Sequence, residues 1–164
     1  MHCTGTADND ATVALIGAGS LPVPPTGTMG TTTALATGPM AAVITDINVL
    51  IDISHTWVGD LDISLTSAEL ETVSLATLRG SSGTGYSNTL FDDQASLSIG
   101  NGSPPFTGSY RPEDVLSVLV GERLAGSWTL TVDDVGSPDS GMLHSWQVQA
   151  TIAGELDADG DGSQ

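Results

Sequence analysis

The stretch from residue 47 to residue 65 constrains the fold most, because apolar and polar side chains alternate along it in two runs. Apart from Leu50, which breaks the pattern, one face carries Ile47, Val49, Ile51, Ile53, Leu61, Ile63 and Leu65. A period of two is typical of β-strands with one buried face. The segment 55–60 between the runs predicts a tight corner. Gly59 permits the bend, and Asp60 either bonds backbone N–H groups or binds a cation.

Shorter runs with the same alternation predict further strands. They cover residues 128–132 and 146–152, while 13–16 is a candidate edge strand and Leu97 with Ile99 predicts another short strand. No segment sustains the helical period of about 3.6 residues. Short alternating strands separated by frequent turns predict an antiparallel β-sandwich.

Composition excludes several partners. At 164 residues the chain is long enough for one domain with a hydrophobic core. Its formal charge of -17 repels nucleic acid and anionic membranes, and it attracts divalent cations or suits high salt. Charged residues are only 14% of the chain and are spread among apolar runs, which argues against disorder. No apolar run is long enough to span a membrane.

The N-terminal residues bear on the compartment. Cys3 is the only cysteine, so no intrachain disulfide forms, although calcium can replace disulfides as the staple of a secreted domain. Residues 1–12 lack the basic start and apolar core of a signal peptide. This predicts either a leader already removed or an excised piece.

Two groups of aspartates are candidate metal ligands. The first group lies at predicted strand ends or loops and consists of Asp60, Asp92, Asp93, Asp133 and Asp134. Paired aspartates on loops supply oxygens for a structural Ca²⁺ ion. The alternative is that each carboxylate caps a turn by accepting backbone N–H groups. The sequence leaves both readings open.

The second group lies in the acidic tail. Asp157, Asp159 and Asp161 occupy positions 1, 3 and 5 of an EF-hand-type calcium loop, with Gly162 at position 6. The sequence stops before the acidic residue at position 12, which fits a piece cut inside a following calcium module. We expect a calcium role for this loop in the parent protein but not in the half loop alone.

No catalytic motif stands out. His55, Asp60 and a serine can be written as a triad, but so many serines are present that the choice carries no information, and we interpret His55 as a structural residue. Neither a Gly-x-Ser-x-Gly elbow nor a His-Glu-x-x-His motif occurs. Trp128 and Trp146 share faces with aliphatic residues and are predicted to be buried. Trp57 flanks the corner and is the better candidate for exposure.

Five segments resemble the P domain (P/Homo B domain) of subtilisin-like proprotein convertases, in the form found in bacterial secreted proteases. They read HTWVGDL, LFDDQA, FTGSYRP, GSWTLTVDD and GMLHSW, at residues 55–61, 90–95, 106–112, 126–134 and 141–146. Their order and spacing match the family, and the resemblance covers about residues 22 to 153. One departure is residues 67–72, where the family usually has a Ser-Pro-x-Gly-Thr turn.

The resemblance implies a jelly-roll β-sandwich without catalytic residues, C-terminal to a serine-type or metalloprotease domain that it helps to fold and stabilise. It implies an extracellular or cell-surface location, an influence on calcium dependence, and structural roles for His55, Trp57, Gly59, Trp128 and Trp146. The expected division is an N-terminal edge segment at 1–20, the P domain at 21–153 and the acidic tail at 154–164. The alternatives are a carbohydrate- or surface-binding module, which requires an exposed aromatic strip, and a hydrolase.

Overall fold

The computed structural model describes residues 11–24, 30–38, 42–136 and 140–153. Within these ranges the chain forms short 3-10 helical turns and no α-helix, so no helix there could cross a membrane. The strands are β1 (Ala11–Ile16), β2 (Leu21–Val23), β3 (Gly30–Gly38), β4 (Ile44–His55), β5 (Leu61–Thr66), β6 (Thr72–Thr77), β7 (Gly85–Phe91), β8 (Gly108–Tyr110), β9 (Gly126–Asp134) and β10 (Gly141–Ile152).

The strands form two sheets. Sheet A has the order β1-β10-β4-β7-β8, with β2 also paired to β10, and sheet B has the order β3-β9-β5-β6. Every pair is antiparallel except β7 with β8. The predicted all-β sandwich is therefore confirmed, while the finer expectation of a jelly roll stays a prediction.

The core lies between the sheets and follows the alternation in sequence. Every apolar residue of the two runs between Ile47 and Leu65 that shares the predicted inward face is buried. Trp128 on β9 and Trp146 on β10 are buried as well, as their neighbours predict. Trp146 packs directly on the backbone of Gly17, where any Cβ would overlap the indole ring. The segment after β1 therefore closes over this side chain.

The corner between β4 and β5 carries the chain from sheet A to sheet B. The connection from β9 to β10 makes the reverse passage. The two connections meet: the Thr56 N–H donates to the carbonyl of Ser140 over 3.0 Å, and the Val135 N–H donates to the carbonyl of Asp60 over 2.9 Å. We call this the crossing end, and it consists of residues 55–60, 134–136, 140 and the adjoining loop 78–84.

The free edge of β6 is covered by two acidic residues. The Glu113 and Asp114 N–H groups donate to the carbonyls of Leu75 and Ser74. Their carboxylates in turn accept the N–H groups of Thr77 and Ser74, at 3.0 Å each. Covering an edge with charged side chains prevents pairing with another chain.

The structure gives different outcomes for two local predictions, the strand at Leu97 and Ile99 and the turn at 67–72. The predicted strand at Leu97 and Ile99 is wrong: Ser98 makes only an isolated bridge with Arg111, and Ile99 begins a 3-10 turn. The segment 67–72 does form a tight turn, in which the Ser67 hydroxyl accepts the N–H groups of Glu69 and Glu71. Leu70 takes the left-handed conformation there, with φ of 68°, a conformation that costs any residue other than glycine.

Candidate functional site at the crossing end

A buried histidine–aspartate pair joins the two sheets at the crossing end. His55 is the last residue of β4 and Asp134 the last of β9, and His55 Nε2 lies 2.7 Å from Asp134 Oδ2. His55 Nδ1 accepts the N–H of Trp57 over 3.1 Å, so the ring proton lies on Nε2 and is donated to the carboxylate. Asp134 Oδ1 accepts the N–H of Gly136 over 3.1 Å. The pair thus fixes the first residues of both connections.

Gly59 is required here by space rather than by a special backbone angle. Its φ lies outside the left-handed region, but an added Cβ would be 2.8 Å from Ser81 Cα. The Gly59 N–H donates to the Ser81 carbonyl over 2.8 Å, and the Val58 N–H donates to the Gly83 carbonyl over 2.9 Å. The corner therefore packs backbone to backbone on the loop 78–84.

Asp60 and Asp134 converge on one glycine. The Asp60 carboxylate lies against Gly136, where any Cβ would overlap it, and the N–H of the same glycine bonds to Asp134. The Asp60 backbone also belongs to the corner, because its N–H donates to the carbonyl of Trp57 over 3.1 Å. Two of the predicted carboxylates thus approach the same connection.

A second carboxylate pair lies beside them on sheet B. Asp62 on β5 and Asp133 on β9 are direct cross-strand partners. Partial burial raises the pKa of Asp62, and the negative charges of Asp133 and Glu113 raise it further. Like charges directly opposite each other destabilise a sheet. Asp62 was not predicted as a site residue, because in the sequence it occupies an ordinary outward position of an alternating strand.

Glu113 has the opposite environment. Its carboxylate forms a bidentate ion pair with Arg79, with Oε2 2.6 Å from Nε and Oε1 2.9 Å from Nη2. The hydrogen bond from Arg79 is the main cause that lowers the pKa of Glu113, and it also raises the pKa of the guanidinium group. The two residues are 34 positions apart, and no motif or spacing signals their contact.

Asp92 and Asp93 lie at the far end of β7, away from the crossing end. Asp93 accepts two backbone N–H groups, from Leu116 to Oδ1 over 2.8 Å and from Ser117 to Oδ2 over 2.9 Å. Asp92 Oδ1 accepts the N–H of Gln94 over 2.9 Å. Both carboxylates therefore make the turn-capping bonds that were the alternative to calcium binding.

The predicted metal ligands are thus divided. Asp60, Asp133 and Asp134 lie at one end of the sandwich, Asp92 and Asp93 lie at the other, and the tail residues Asp157, Asp159 and Asp161 fall outside the described ranges. Among the described residues, no group of three or more His, Cys, Asp or Glu side chains is placed to hold a metal ion. Calcium binding stays a prediction.

The histidines offer no catalytic arrangement in the described part of the chain. Both ring nitrogens of His55 are used, by Asp134 and by the backbone of Trp57, and its side chain is fully buried. His144 Nε2 lies 2.9 Å from the hydroxyl of Ser54 on the exposed face of sheet A. Among the described residues, no hydrogen bond connects the Ser54–His144 pair to a carboxylate that would complete a catalytic triad.

The fold and this site define a β-sandwich in which a buried His–Asp pair fixes two of the connections between the sheets, β4 to β5 and β9 to β10. The family model for the proprotein convertase P-domain matches residues 44–150. The chain therefore belongs to the P-domain family, which is a family of non-catalytic accessory domains.

Two solved structures share this fold. The crystal structure of the serine protease of Aeromonas sobria matches 87% of this chain at a TM-score of 0.50 and 15% identity. The complex of that protease with the chaperone ORF2 matches 90% of this chain at 0.51 and 16% identity. The chain spans only 27% and 28% of the matched chains. No curated protein matches it.

Proposed function

We propose that this chain is a non-catalytic accessory domain that supports the folding and stability of an adjacent secreted protease domain. The observation that carries the proposal is the family match over residues 44–150, which includes the whole crossing end and its His55–Asp134 pair. The domain covers about a quarter of the structurally similar serine protease chains, as a module within a longer protein does. Similarity to secreted proteases supports an extracellular location.

The test compares the parent protein with and without this domain. The protease domain encoded beside it is expressed alone and linked to this chain, and the yield and thermal half-life of protease activity are measured. We expect both quantities to fall when the domain is absent. Equal yield and half-life would contradict the proposal.

Two variants sharpen the test. His55→Ala removes the buried pair and is expected to shorten the thermal half-life of protease activity by destabilising the domain, whereas His144→Ala changes an exposed histidine and is expected to leave the half-life unchanged. An unchanged half-life in a His55→Ala protein whose domain melts earlier than the wild type would contradict the proposal, because the support would not depend on the stability of the sandwich.

Calcium dependence is a separate part of the proposal. It is supported by the carboxylates of Asp60, Asp62, Asp133 and Asp134 near the crossing end, and by the net charge of -17. A bound cation would relieve the repulsion between such groups.

The measurement is a pair of thermal melts, in millimolar calcium and in chelator at matched ionic strength. Calcium at about a hundred times its Kd adds roughly 2.7 kcal/mol, which for this size means a rise in Tm of roughly 5–10 °C. We expect such a rise. An equal Tm in both buffers would remove calcium from the proposal and leave protease support intact.

The aromatic residues do not favour the carbohydrate-binding alternative. The described ranges contain all seven aromatic side chains, and only Trp57, at 45% exposed, stands out at the surface. Tyr110 is partly buried, and the others are buried. One exposed ring does not form the strip that a sugar platform requires.

A further inference from the structure

The outer edge of β1 presents backbone groups that have no partner among the described residues. Gly17 continues the register of β1 with β10, and its N–H donates to the carbonyl of Trp146 over 2.8 Å. In an antiparallel pair, successive residues point their backbone groups alternately toward and away from the neighbouring strand. The backbone groups of Thr12, Ala14 and Ile16 therefore point away from β10. None of the hydrogen bonds between described residues uses them.

The other edges formed by the described strands are protected. The edge of β6 is covered by Glu113 and Asp114. At the edge of β3, the carbonyl of Leu35 accepts the N–H of Ala18 over 2.9 Å. The edge strand β8 has only 3 residues, and β2, which shares the β10 edge with β1, contains Pro22. Short edge strands, charged residues and proline are common protections against pairing with another chain.

The strand β1 has none of these protections. Its sequence ATVALI contains no charged residue and no proline, and its register with β10 is continuous over all 6 residues. Ile16 is 69% exposed, and the side chains of Thr12 and Ala14 are exposed as well. An unprotected edge that carries an exposed apolar side chain is a template for the addition of another strand.

A second copy of the chain is complementary to this edge. Two β1 strands pair antiparallel about a two-fold axis beside Ala14, so that Ala14 faces its own equivalent and Thr12 faces Ile16 of the second copy. Each facing pair then exchanges two N–H···O hydrogen bonds. The methyl group of Thr12 packs against the Ile16 side chain opposite it. Because each copy uses the same edge once, the assembly closes as a dimer.

The charge distribution determines how such a dimer responds to salt. The formal charge of -17 makes two copies repel each other, but β1 itself carries no charge. In the row that crosses sheet A from Thr12, the first carboxylate is that of Asp46, which lies opposite Thr151 and is therefore two strands away. Two strand spacings amount to about 10 Å, which is close to the Debye length at moderate salt. The repulsion is therefore long-range, and salt weakens it.

We propose that the outer edge of β1 is a self-association site, at which two copies of this chain pair their β1 strands antiparallel and join their A sheets into one. This inference does not depend on the proposed function. Pairing needs no rearrangement of the sandwich, because the backbone groups of Thr12, Ala14 and Ile16 already point outward.

Analytical ultracentrifugation of the chain between micromolar and near-millimolar concentration tests the proposal. We expect a monomer–dimer equilibrium whose association constant rises by about threefold or more when low salt is replaced by several hundred millimolar salt. Ala14→Pro removes an N–H that has no bond within the described chain, so the monomer tolerates it while pairing is blocked. We expect Ala14→Pro to weaken association by about tenfold or more. A chain that stays monomeric at every concentration and salt would overturn the proposal.

A matched pair of lysine variants tests the position without changing the backbone. Ala14→Lys places two ammonium groups face to face across the two-fold axis, which destabilises the pair. Thr33→Lys adds the same charge at an exposed residue of β3 in sheet B and is expected to leave the association constant within about twofold. Thermal melts establish that each variant is folded, and Ala14→Lys replaces Ala14→Pro if the proline variant melts early. A dimer that survives in the folded Ala14 variants, or that Thr33→Lys dissociates, would assign the association to another surface.

Amide hydrogen exchange locates the contact within the dimer. As the protein concentration rises, exchange is expected to slow at Thr12, Ala14 and Ile16, because their N–H groups become bonded to the second copy. The N–H groups of Val13 and Leu15 face β10 already in the monomer, so their exchange is expected to change little. Dimer formation without slower exchange at the three outward amides would overturn the proposal.

Discussion

The two ends of this sandwich are built in contrasting ways. At the crossing end, backbone packs on backbone around Gly59 and Gly136, and a buried His–Asp pair ties the sheets together. At the opposite end, Asp93 caps the 3-10 turn Leu116–Leu119, and Val115, Val118 and Val120 in and beside that turn are exposed. The comparison shows that close backbone packing and buried hydrogen bonds distinguish the crossing end.

The largest effect is expected from breaking the buried pair at the crossing end. His55→Ala leaves the buried Asp134 carboxylate without the ring N–H that it accepts, and leaving a buried charged acceptor unsatisfied costs about 3 kcal/mol or more. Urea denaturation measures the free energy of unfolding. His144→Ala is the control, because that ring is exposed and its loss is expected to cost under about 1 kcal/mol. A similar small loss for both variants would show that the pair does not join the sheets energetically.

The glycines provide the next comparison. Gly59→Ala places a methyl group against the backbone of Ser81, and overpacking of this kind costs about 1–3 kcal/mol. Gly121, just after the 3-10 turn Leu116–Leu119, has φ of 97° but open space around it. Gly121→Ala is therefore expected to cost about 1 kcal/mol through backbone strain alone.

Thermal melts of the two alanine variants separate the contributions. The contrast between the ends predicts the larger decrease in Tm for Gly59→Ala. If Gly121→Ala has the larger effect, close packing is not what distinguishes the crossing end.

At the end opposite the crossing end, the expected loss of stability is smaller and local. Asp93→Ala removes the acceptor of the Leu116 and Ser117 N–H groups, and loss of such a cap costs about 1 kcal/mol. Hydrogen exchange at Leu116 and Leu119 is expected to accelerate more than exchange in β9. Uniform acceleration through both sheets would mean that the turn belongs to the global fold rather than to a local unit.

The features that could be predicted from the sequence are those that depend on the local alternation of apolar and polar residues. The strand period identified β4, β5, β9 and β10, and the neighbours of Trp128 and Trp146 indicated their burial. It also marked Asp60 and Asp134, because they fall at predicted strand ends or loops.

The sequence could not predict contacts that join distant segments. Glu113 reaches Arg79 and the edge of β6 across more than thirty residues, and no periodic signal encodes that contact. The false strand at Leu97 and Ile99 has the same cause. Two alternating residues are too few to specify a pairing partner, and the structure supplies only the bridge from Ser98 to Arg111.

The smallest effect concerns two carboxylates with opposite pKa shifts. Asp62→Asn removes a charge that burial and Asp133 disfavour, so it is expected to stabilise the domain at pH 7 by roughly a few tenths of a kcal/mol after solvent screening. Glu113→Gln removes a charge that Arg79 favours and is expected to destabilise it at the same pH.

The pH dependence separates these two carboxylates. The pKa of Asp62 is raised in the folded protein, so its cost is fully present above that raised value and is lost as the pH falls from it to below the unfolded value. The pKa of Glu113 is lowered, so its contribution is present above the unfolded value and is lost as the pH falls through the lower, folded one. Urea titrations of both variants between pH 7 and acid pH should therefore converge on the wild type from opposite sides. Convergence from the same side would mean that the Arg79 ion pair does not determine the charge state of Glu113. Both carboxylates would then respond only to the overall negative charge of the surface beside the crossing end.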